Sequence, residues 1–425
     1  MGTTDYDVLI VGARVAGASL ALLLGERGHR VLMVDRDVFP SDTLSTHLVG
    51  GAGVAALSRL GVLADVEAAG FRRLTRHRTW VEDCLFEGPA GPAGAYSLAP
   101  RRDALDAILI RHARERGGVE MRERTHAEGL LEADGRVVGA VLRAPDGTRR
   151  EVYAHVVVGA DGKYSKVAEW VKAERYEAVP AQRPAYYGYY HGVRPLPEPA
   201  LEMFFAHDQV GFIFPMRPDE DCLALELQPE DYATFRANPQ AVFEERFRAL
   251  PGMAARMEGA RLEGKLLGTR GIENYLRKPY GPGWALAGDA GYLKDPITGT
   301  GIGDALAQSF PLAGALDAAL RGADWEASLS AFQRQRDEMM LPMYRWTVAA
   351  TQVRDAAPES VAWLRAALVS PHCTRQVMYW LPSALSGGLP PRLQPMVTAL
   401  GKLFDAGPAQ PVAVPETVPA PVAHE

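Results

Sequence analysis

The chain is expected to fold as an α/β protein in which a Rossmann-like domain is interleaved with an antiparallel-sheet domain and followed by a helical C-terminal region. Three observations predict this. Residues 6–36 read as apolar strand, tight glycine turn, helix and second strand. Two later stretches, 155–171 and 284–310, repeat the device of a short apolar run halted at a glycine beside an aspartate. Between them, residues 181–275 carry the alternation and aromatic content of antiparallel strands.

In the first stretch Val8 to Val11 form a short apolar run, the mark of a parallel strand buried on both faces. Gly12 breaks it, Ala16, Leu20, Leu23 and Leu24 recur at helical spacing, and Val31 to Val34 lead to Asp35. Such a unit offers the positive end of a helix to a diphosphate, with an acid at the second strand's tip for a ribose hydroxyl. The three glycine slots hold Gly12, Arg14 and Gly17, so the middle glycine is replaced. Arg14 has two readings, reaching over the diphosphate or pointing to solvent.

Onward, Pro40 to Asp42 favour a turn, and Ala55, Leu57, Leu60 and Val62 mark a helix. Ser45, Thr46 and His47 lie in the polar connection, where a ligand-facing role competes evenly with a turn role. Residues 72–82 read as strand or loop. Residues 99–117 form an amphipathic helix on Leu105, Ile108, Leu109 and Ala113. Arg101 and Arg102 stand at its start, where the helix dipole disfavours cations, which points to a nearby anion. Val119 to Met121, Val137 to Leu142 and Val152 read as strands joined by Asp-Gly turns.

The second junction ends on Gly159, Asp161 and Gly162, with Ser165 capping a helix. The third ends on Gly288-Asp289, and Pro296, Gly299, Gly301 and Gly303 hold the next loop tight until a helix from Asp304. Three strand ends of this kind belong around one ligand. In the intervening segment the runs 185–193, 201–205, 210–216 and 222–227 read as strands. Tyr186, Tyr187, Tyr189 and Tyr190 fall on both faces, about half of them core and the rest available to a flat apolar ligand. Residues 239–257 read as one helix, the chain is helical from 304 to about 349, and mostly helical to 405. The proline- and alanine-rich end from Gly407 has no period and is expected to be disordered.

Length and composition bound the rest. At 425 residues the chain exceeds the ~250–300 at which single cores stop growing, so two interlocked lobes are expected. A net charge of -6 leaves no footprint for nucleic acid, and no apolar run approaches the ~18 residues of a membrane span. The start lacks the apolar core of a secretory signal, and Tyr6 breaks a myristoylation pattern. Cys84, Cys222 and Cys373 have no metal spacing and fit reduced thiols of a cytoplasmic protein.

With the three junctions in view, residues 5–320 resemble the flavoprotein monooxygenase superfamily whose type member hydroxylates para-hydroxybenzoate. The resemblance implies that Gly12, Gly17 and Asp35 bind the ADP half of FAD, and that Arg102, in Arg102-Asp-Ala-Leu105-Asp106, binds its phosphate. It implies that Gly159-Ala-Asp161-Gly162 serves FAD and NAD(P)H, although the family's arginine just beyond is Ala168 here, and that Asp289 contacts the ribityl chain. The loop from Pro296 through Gly299 to Gly303 would lie under the isoalloxazine. Ala13, Arg14, Ala16, Arg36, Gly301 and Ile302 complete the implied FAD site. The implied domains are an FAD-binding part (1–75, 96–180, 276–320), a substrate part (76–95, 181–275), C-terminal helices (321–405) and a disordered tail (406–425). The loop DPITGTGIG is also similar to that of geranylgeranyl reductases. Flavin halogenases share the scaffold with a Trp-x-Trp-x-Ile-Pro stretch, and the absence of any Trp-x-Trp here argues against a halogenase.

What the resemblance implies chemically is NAD(P)H- and O2-dependent hydroxylation of an aromatic or polycyclic small molecule through a flavin hydroperoxide. The flavin would carry the chemistry, with the protein supplying position, electrostatics and dryness. Backbone amides near Gly299 to Gly301 would stabilise charge on the reduced flavin. His47, Tyr187, Tyr189 and His191 are the candidates for orienting or deprotonating a substrate hydroxyl. No nucleophilic triad or metal-ligand cluster is seen. The alternatives are an FAD-dependent reductase of unsaturated, prenyl-type substrates, a plain NAD-dependent dehydrogenase, and a flavin-binding scaffold or sensor without turnover. Substrate, nicotinamide preference and oligomeric state stay open.

Overall fold

The three glycine-ended strands lie side by side in one sheet, and their register explains why their ends converge. In the computed structural model, which describes residues 4–181 and 183–351, Val11 pairs in parallel with both Val34 and Gly159, and Gly159 pairs with Leu286. Strands Tyr6–Val11, Val31–Val34, Arg149–Gly159 and Trp284–Leu286 therefore finish at one level of the sheet. The order across it is Tyr280–Gly281, Trp284–Leu286, Arg149–Gly159, Tyr6–Val11, Val31–Val34 and Glu120–Arg122, with a hairpin of His126–Ala133 and Arg136–Arg143 attached to Arg149–Gly159. Val8, Leu9 and Ile10 are fully buried, as a strand covered on both faces must be. Each such side chain contributes roughly 1.5–3 kcal/mol of burial.

Arg149–Gly159 joins what the sequence reads as two strands. Its first half pairs antiparallel with Arg136–Arg143 and its second half enters the parallel sheet. Helix Val15–Gly25 crosses the sheet against helices Arg102–Glu115 and Gly301–Leu320. The last of these starts at Gly301, three residues before the sequence expectation, because the 3-10 turn Pro296–Thr298 and the left-handed Gly299 hand over directly to it.

A second sheet runs Arg261–Thr269, Ala185–His191, Glu220–Glu226, Gln209–Arg217, Ala200–Ala206, Arg76–Val81, Cys84–Pro89. All its pairs are antiparallel except Ala200–Ala206 with Arg76–Val81, since the latter strand arrives from a distant part of the chain. Arg261–Thr269 is a strand that the sequence reading did not single out. The expected helix 239–257 is two, Pro239–Ala249 and Met253–Arg256, broken where Gly252 takes φ 74°. Tyr186 and Tyr190 pack on Phe235 and Phe243 of the covering helices, while Tyr187 and Tyr189 face the first sheet's loops. A three-stranded sheet of Tyr292–Leu293, Asn274–Arg277 and Arg175–Val179 lies near the junction of the two. Helix Trp325–Ala350 follows. The rest of the expected C-terminal helices, the expected disordered tail and Cys373 lie outside the described residues, and no described helix is long and apolar enough to cross a membrane.

Candidate functional site

At the common end of the strands opens a cavity of about 540 Å³. Its walls include Gly12, Arg14, Ala16, Asp35 and Arg36 from the first junction, and Arg102 from the helix after it. Asp161 and Gly162 line it from the second junction, and Asp289, Pro296, Gly301 and Ile302 from the third. Of the sequence-derived set, Ala13, Gly17 and Gly299 stand just behind the wall, each for a packing reason. The Ala13 amide donates to Asp35 Oδ2 at 2.7 Å. A Cβ on Gly17 would sit 1.8 Å from the Gly12 carbonyl oxygen, and one on Gly299 would sit 2.9 Å from Leu48 Cδ2. Gly12 takes φ 104° with the Ala160 carbonyl 2.3 Å from where a Cβ would be, so only glycine brings these two junctions so close.

The charged groups are deeply networked. Arg14 neither points to solvent nor stands alone: Nη1 donates to Asp106 Oδ2 at 2.8 Å and Nη2 to Asp37 Oδ2 at 3.0 Å, with further bonds to Ser41 and the Asp42 carbonyl. Arg102 pairs with the same Asp106 across one helical turn at 3.1 Å. Arg101 turns away, onto Glu220 and Glu263, and its guanidinium lies over the Tyr189 ring at 3.8 Å. The anion expected near these two arginines is thus supplied in part by the chain itself. Asp35 also accepts the Asp37 amide at 2.9 Å, and burial raises its pKa. Asp161 caps helix Lys166–Trp170, accepting from Ser165 Oγ at 2.5 Å and Lys166 N at 2.7 Å, and Ser165 accepts from Ala168 N. Asp289 projects into the cavity, where the surrounding protein raises its carboxyl to about 6 against the opposing charge of Arg102.

His47, Tyr187 and Tyr189, far apart in sequence, meet. The imidazole lies 5.2 Å from the Tyr187 ring and 5.4 Å from the Tyr189 ring. His47 Nε2 is 3.2 Å from Tyr189 Oη and Nδ1 3.3 Å from the Pro100 carbonyl. Burial, then the charge of Arg102, lowers its pKa to about 3, so the ring is neutral and has one N–H for these two acceptors. Tyr189 donates to Asp42 Oδ2 at 2.7 Å and Tyr187 to the Thr43 carbonyl at 3.0 Å. Of the three, only Tyr187 lines the cavity. His191 shares their strand face but lies past the cavity, at the surface, bound to Glu263 at 3.0 Å and the Asp219 carbonyl at 2.6 Å.

Sequence reasoning missed three inward-facing charges, Lys294, Glu226 and Asp295, all cavity-lining and buried. Lys294 Nζ pairs with Asp304 at 2.6 Å. The sequence signal was a polar residue in an apolar strand or ahead of a proline turn. Against one flank of the cavity runs a second groove, of about 760 Å³, lined by Lys163, Lys166, Lys172, Arg175 and Arg277 against Glu169 and Glu273. Lys163, Tyr164, Lys166, Ile272 and Leu293 belong to both walls.

The family profile described as "FAD binding domain" matches residues 5–347. The chain belongs to the FAD binding domain family. It is accordingly an FAD-dependent oxidoreductase, and the cradle fits that cofactor: Gly12 holds backbone against backbone at the ends of the central strands, where the cavity opens. This FAD-binding-domain protein is 26% identical over 344 residues to the 1H-pyrrole-2-carbonyl-[peptidyl-carrier protein] brominase of Pseudoalteromonas luteoviolacea, covering 77% of this chain and 81% of that one. It is 27% identical over 380 residues to the aklavinone 12-hydroxylase RdmE of Streptomyces purpurascens, covering 79% and 66%. The solved structure of the flavin-dependent brominase Bmp2 superposes with a TM-score of 0.74 at 23% identity over 94% of each chain, which shows a common fold.

Proposed function

We propose that the protein is an FAD-dependent monooxygenase that uses NAD(P)H and O2 to hydroxylate an aromatic or polycyclic small molecule. The observation that supports this reading is the basic groove sharing a wall with the cavity, where a phosphate-bearing nicotinamide donor would find cations beside the proposed flavin site. A protein fed by ready-reduced flavin would have no use for it. The absence of Trp-x-Trp from all 425 residues also weighs against halogenation, even though a brominase is among the relatives.

Bound FAD would supply electron transfer from the nicotinamide and the activation of oxygen. The chain's own part is to hold and shield. Gly12, Ala13, Ala16 and Gly17 would place amides and the helix start Val15–Gly25 against the diphosphate, with Asp35 at the adenosine ribose. Arg14 and Arg102, anchored on Asp106, would stand beside the phosphates, and Arg36 lies at the outer rim, its side chain exposed. Asp289 would accept hydrogen bonds from the ribityl chain, and Pro296, Gly299, Gly301 and Ile302 would bear the ring. Tyr187 and Phe212 offer an aromatic wall to the substrate. His47 and Tyr189 position Tyr187 rather than reach the substrate, and His191 has no place in the cavity.

The test is oxygen consumption. The purified yellow protein should oxidise NADPH or NADH with oxygen uptake, independent of added bromide or chloride. Halide-dependent turnover, or oxidised flavin that neither nicotinamide reduces, would overturn the reading.

A further inference from the structure

Glu226 and Asp295 come from different elements that line the cavity. Glu226 is the last residue of strand Glu220–Glu226, held in register against Ala185 and Val210. Asp295 heads the turn Pro296–Thr298: its amide donates to Asn274 Oδ1 at 2.7 Å, and its Oδ1 accepts the Ile297 amide at 3.1 Å. Both line the cavity, with 2% and 1% of their surfaces exposed. Among the described residues, Glu226 Oε2 and Asp295 Oδ2 receive no hydrogen bond from any donor. These two carboxyl groups lie within hydrogen-bonding reach of one another. Two facing carboxyl groups in a dry site cannot both be ionised, and one shared proton is the arrangement that satisfies them. Burial, then the charge of Asp295, pushes Glu226 well above the ordinary carboxyl range, and Asp295 is raised by burial to about 6. The guanidinium of Arg183 is an opposing positive charge that acts on both.

We propose that Glu226 and Asp295 form the specificity site for the substrate, a carboxyl–carboxylate couple that receives an uncharged hydroxyl or ring N–H at the substrate end of the cavity. The chemistry selects that class. With one carboxylate balanced by Arg183, the site is neutral, so an ammonium group would bury an unbalanced charge and a carboxylate group would meet like charge. An O–H or N–H inserted between the two groups donates to Asp295, and an oxygen can also accept from the Glu226 O–H, so the ligand exchanges the bond the pair shares for two of its own. Asp295 adjoins Pro296, the start of the loop assigned to the flavin ring, so a group held here is held against the reactive end of the cofactor. The inference rests on the proposed placement of FAD in the same cavity.

The experiment compares phenol with anisole, which differ only in the O–H, on full-length FAD-loaded protein, reading the perturbation of the flavin absorption bands. Wild-type protein should bind phenol more tightly by roughly tenfold to a hundredfold, the effect of one hydrogen bond to a charged group. Asp295→Asn, which keeps the acceptor for the Ile297 amide, should bring that ratio close to one with FAD content unchanged. In parallel, infrared spectra at about pH 8, where ordinary carboxyls are ionised, should show a protonated carboxyl band that disappears in Glu226→Gln. Yellow wild-type protein that does not prefer phenol, or a preference surviving both substitutions, would overturn the proposal. A colourless protein would instead be a failure of the flavin assignment, and the infrared band, which needs no FAD, would still decide the pair.

Discussion

Arg14 and Arg102 are tied together through one buried carboxylate: Asp106, with no exposed side-chain surface, accepts Arg14 Nη1 at 2.8 Å and Arg102 Nη2 at 3.1 Å. The replacement of the middle glycine by Arg14 is thereby accommodated, because the long side chain is drawn away from the turn into its own ion-pair network. Breaking a buried pair from one side leaves uncompensated charge and costs about 3–5 kcal/mol. Asp106→Ala should lower stability by about that much in urea unfolding. It should also shed FAD on gel filtration, because both guanidinium groups lose their anchor. Full retention of colour at wild-type affinity would show that neither arginine serves the phosphates.

Gly12→Ala tests the contact between junctions. The added Cβ would lie 2.3 Å from the Ala160 oxygen, at a φ of 104° that side chains rarely adopt. The combined clash and strain should cost on the order of 2–4 kcal/mol. The expected protein is colourless, with a lowered melting temperature. Gly314→Ala, inside helix Gly301–Leu320 where a Cβ meets nothing within 4 Å, is the control and should raise stability by up to about 1 kcal/mol.

His47 makes the fold acid-sensitive. Its folded pKa of about 3 lies below the 6.5 of an unfolded histidine. Above 6.5 both states are neutral and the residue adds no pH dependence. Below it the unfolded chain binds a proton that the folded one refuses, so stability falls as pH falls, by roughly 2 kcal/mol at pH 5. The groups facing it are Arg101, Arg102 and the Tyr189–Asp42 pair. Asp289 and Asp295, both raised to about 6, work the opposite way, so the measurement is a difference between proteins. Asn tolerates the φ of 58° at this position, and His47→Asn should flatten the slope of unfolding free energy between pH 7 and 5 relative to wild type. Parallel slopes would contradict the buried neutral imidazole.

The basic groove predicts a split in kinetic constants. Lys163 and Lys172 have no carboxylate partner among the described ion pairs, unlike Lys166 and Arg175, which pair with Glu169 and Glu273. Lys163→Ala with Lys172→Ala should raise the KM for NADPH by about tenfold, the worth of one to two screened charge contacts. FAD content should be unchanged, and wild type should lose affinity for NADPH as salt rises. An unaltered KM would move the nicotinamide elsewhere.

By itself, the sequence determined the parts whose cause is local. The short apolar runs stopped at Gly12, Gly159 and Gly288 form buried strands that pair in parallel with one another. The glycine-aspartate endings of residues 12–35, 159–162 and 288–289 are expected to converge, and the strand register puts them at one level, around one cavity. Period-two alternation sorted Tyr187 and Tyr189 from Tyr186 and Tyr190. Tertiary structure alone decided partners, because these are set by contacts across long stretches of chain. Alternation places His191 on the face of Tyr187 and Tyr189, but the strand outruns the cavity, and Glu263 takes the imidazole at the surface. Arg14 could not be aimed without knowing that Asp106 of a later helix would stand opposite. Glu226 reads locally as the polar end of a strand and Asp295 as a turn residue. Only the packing of one sheet against the other's loops buries both and turns their carboxyl groups toward each other.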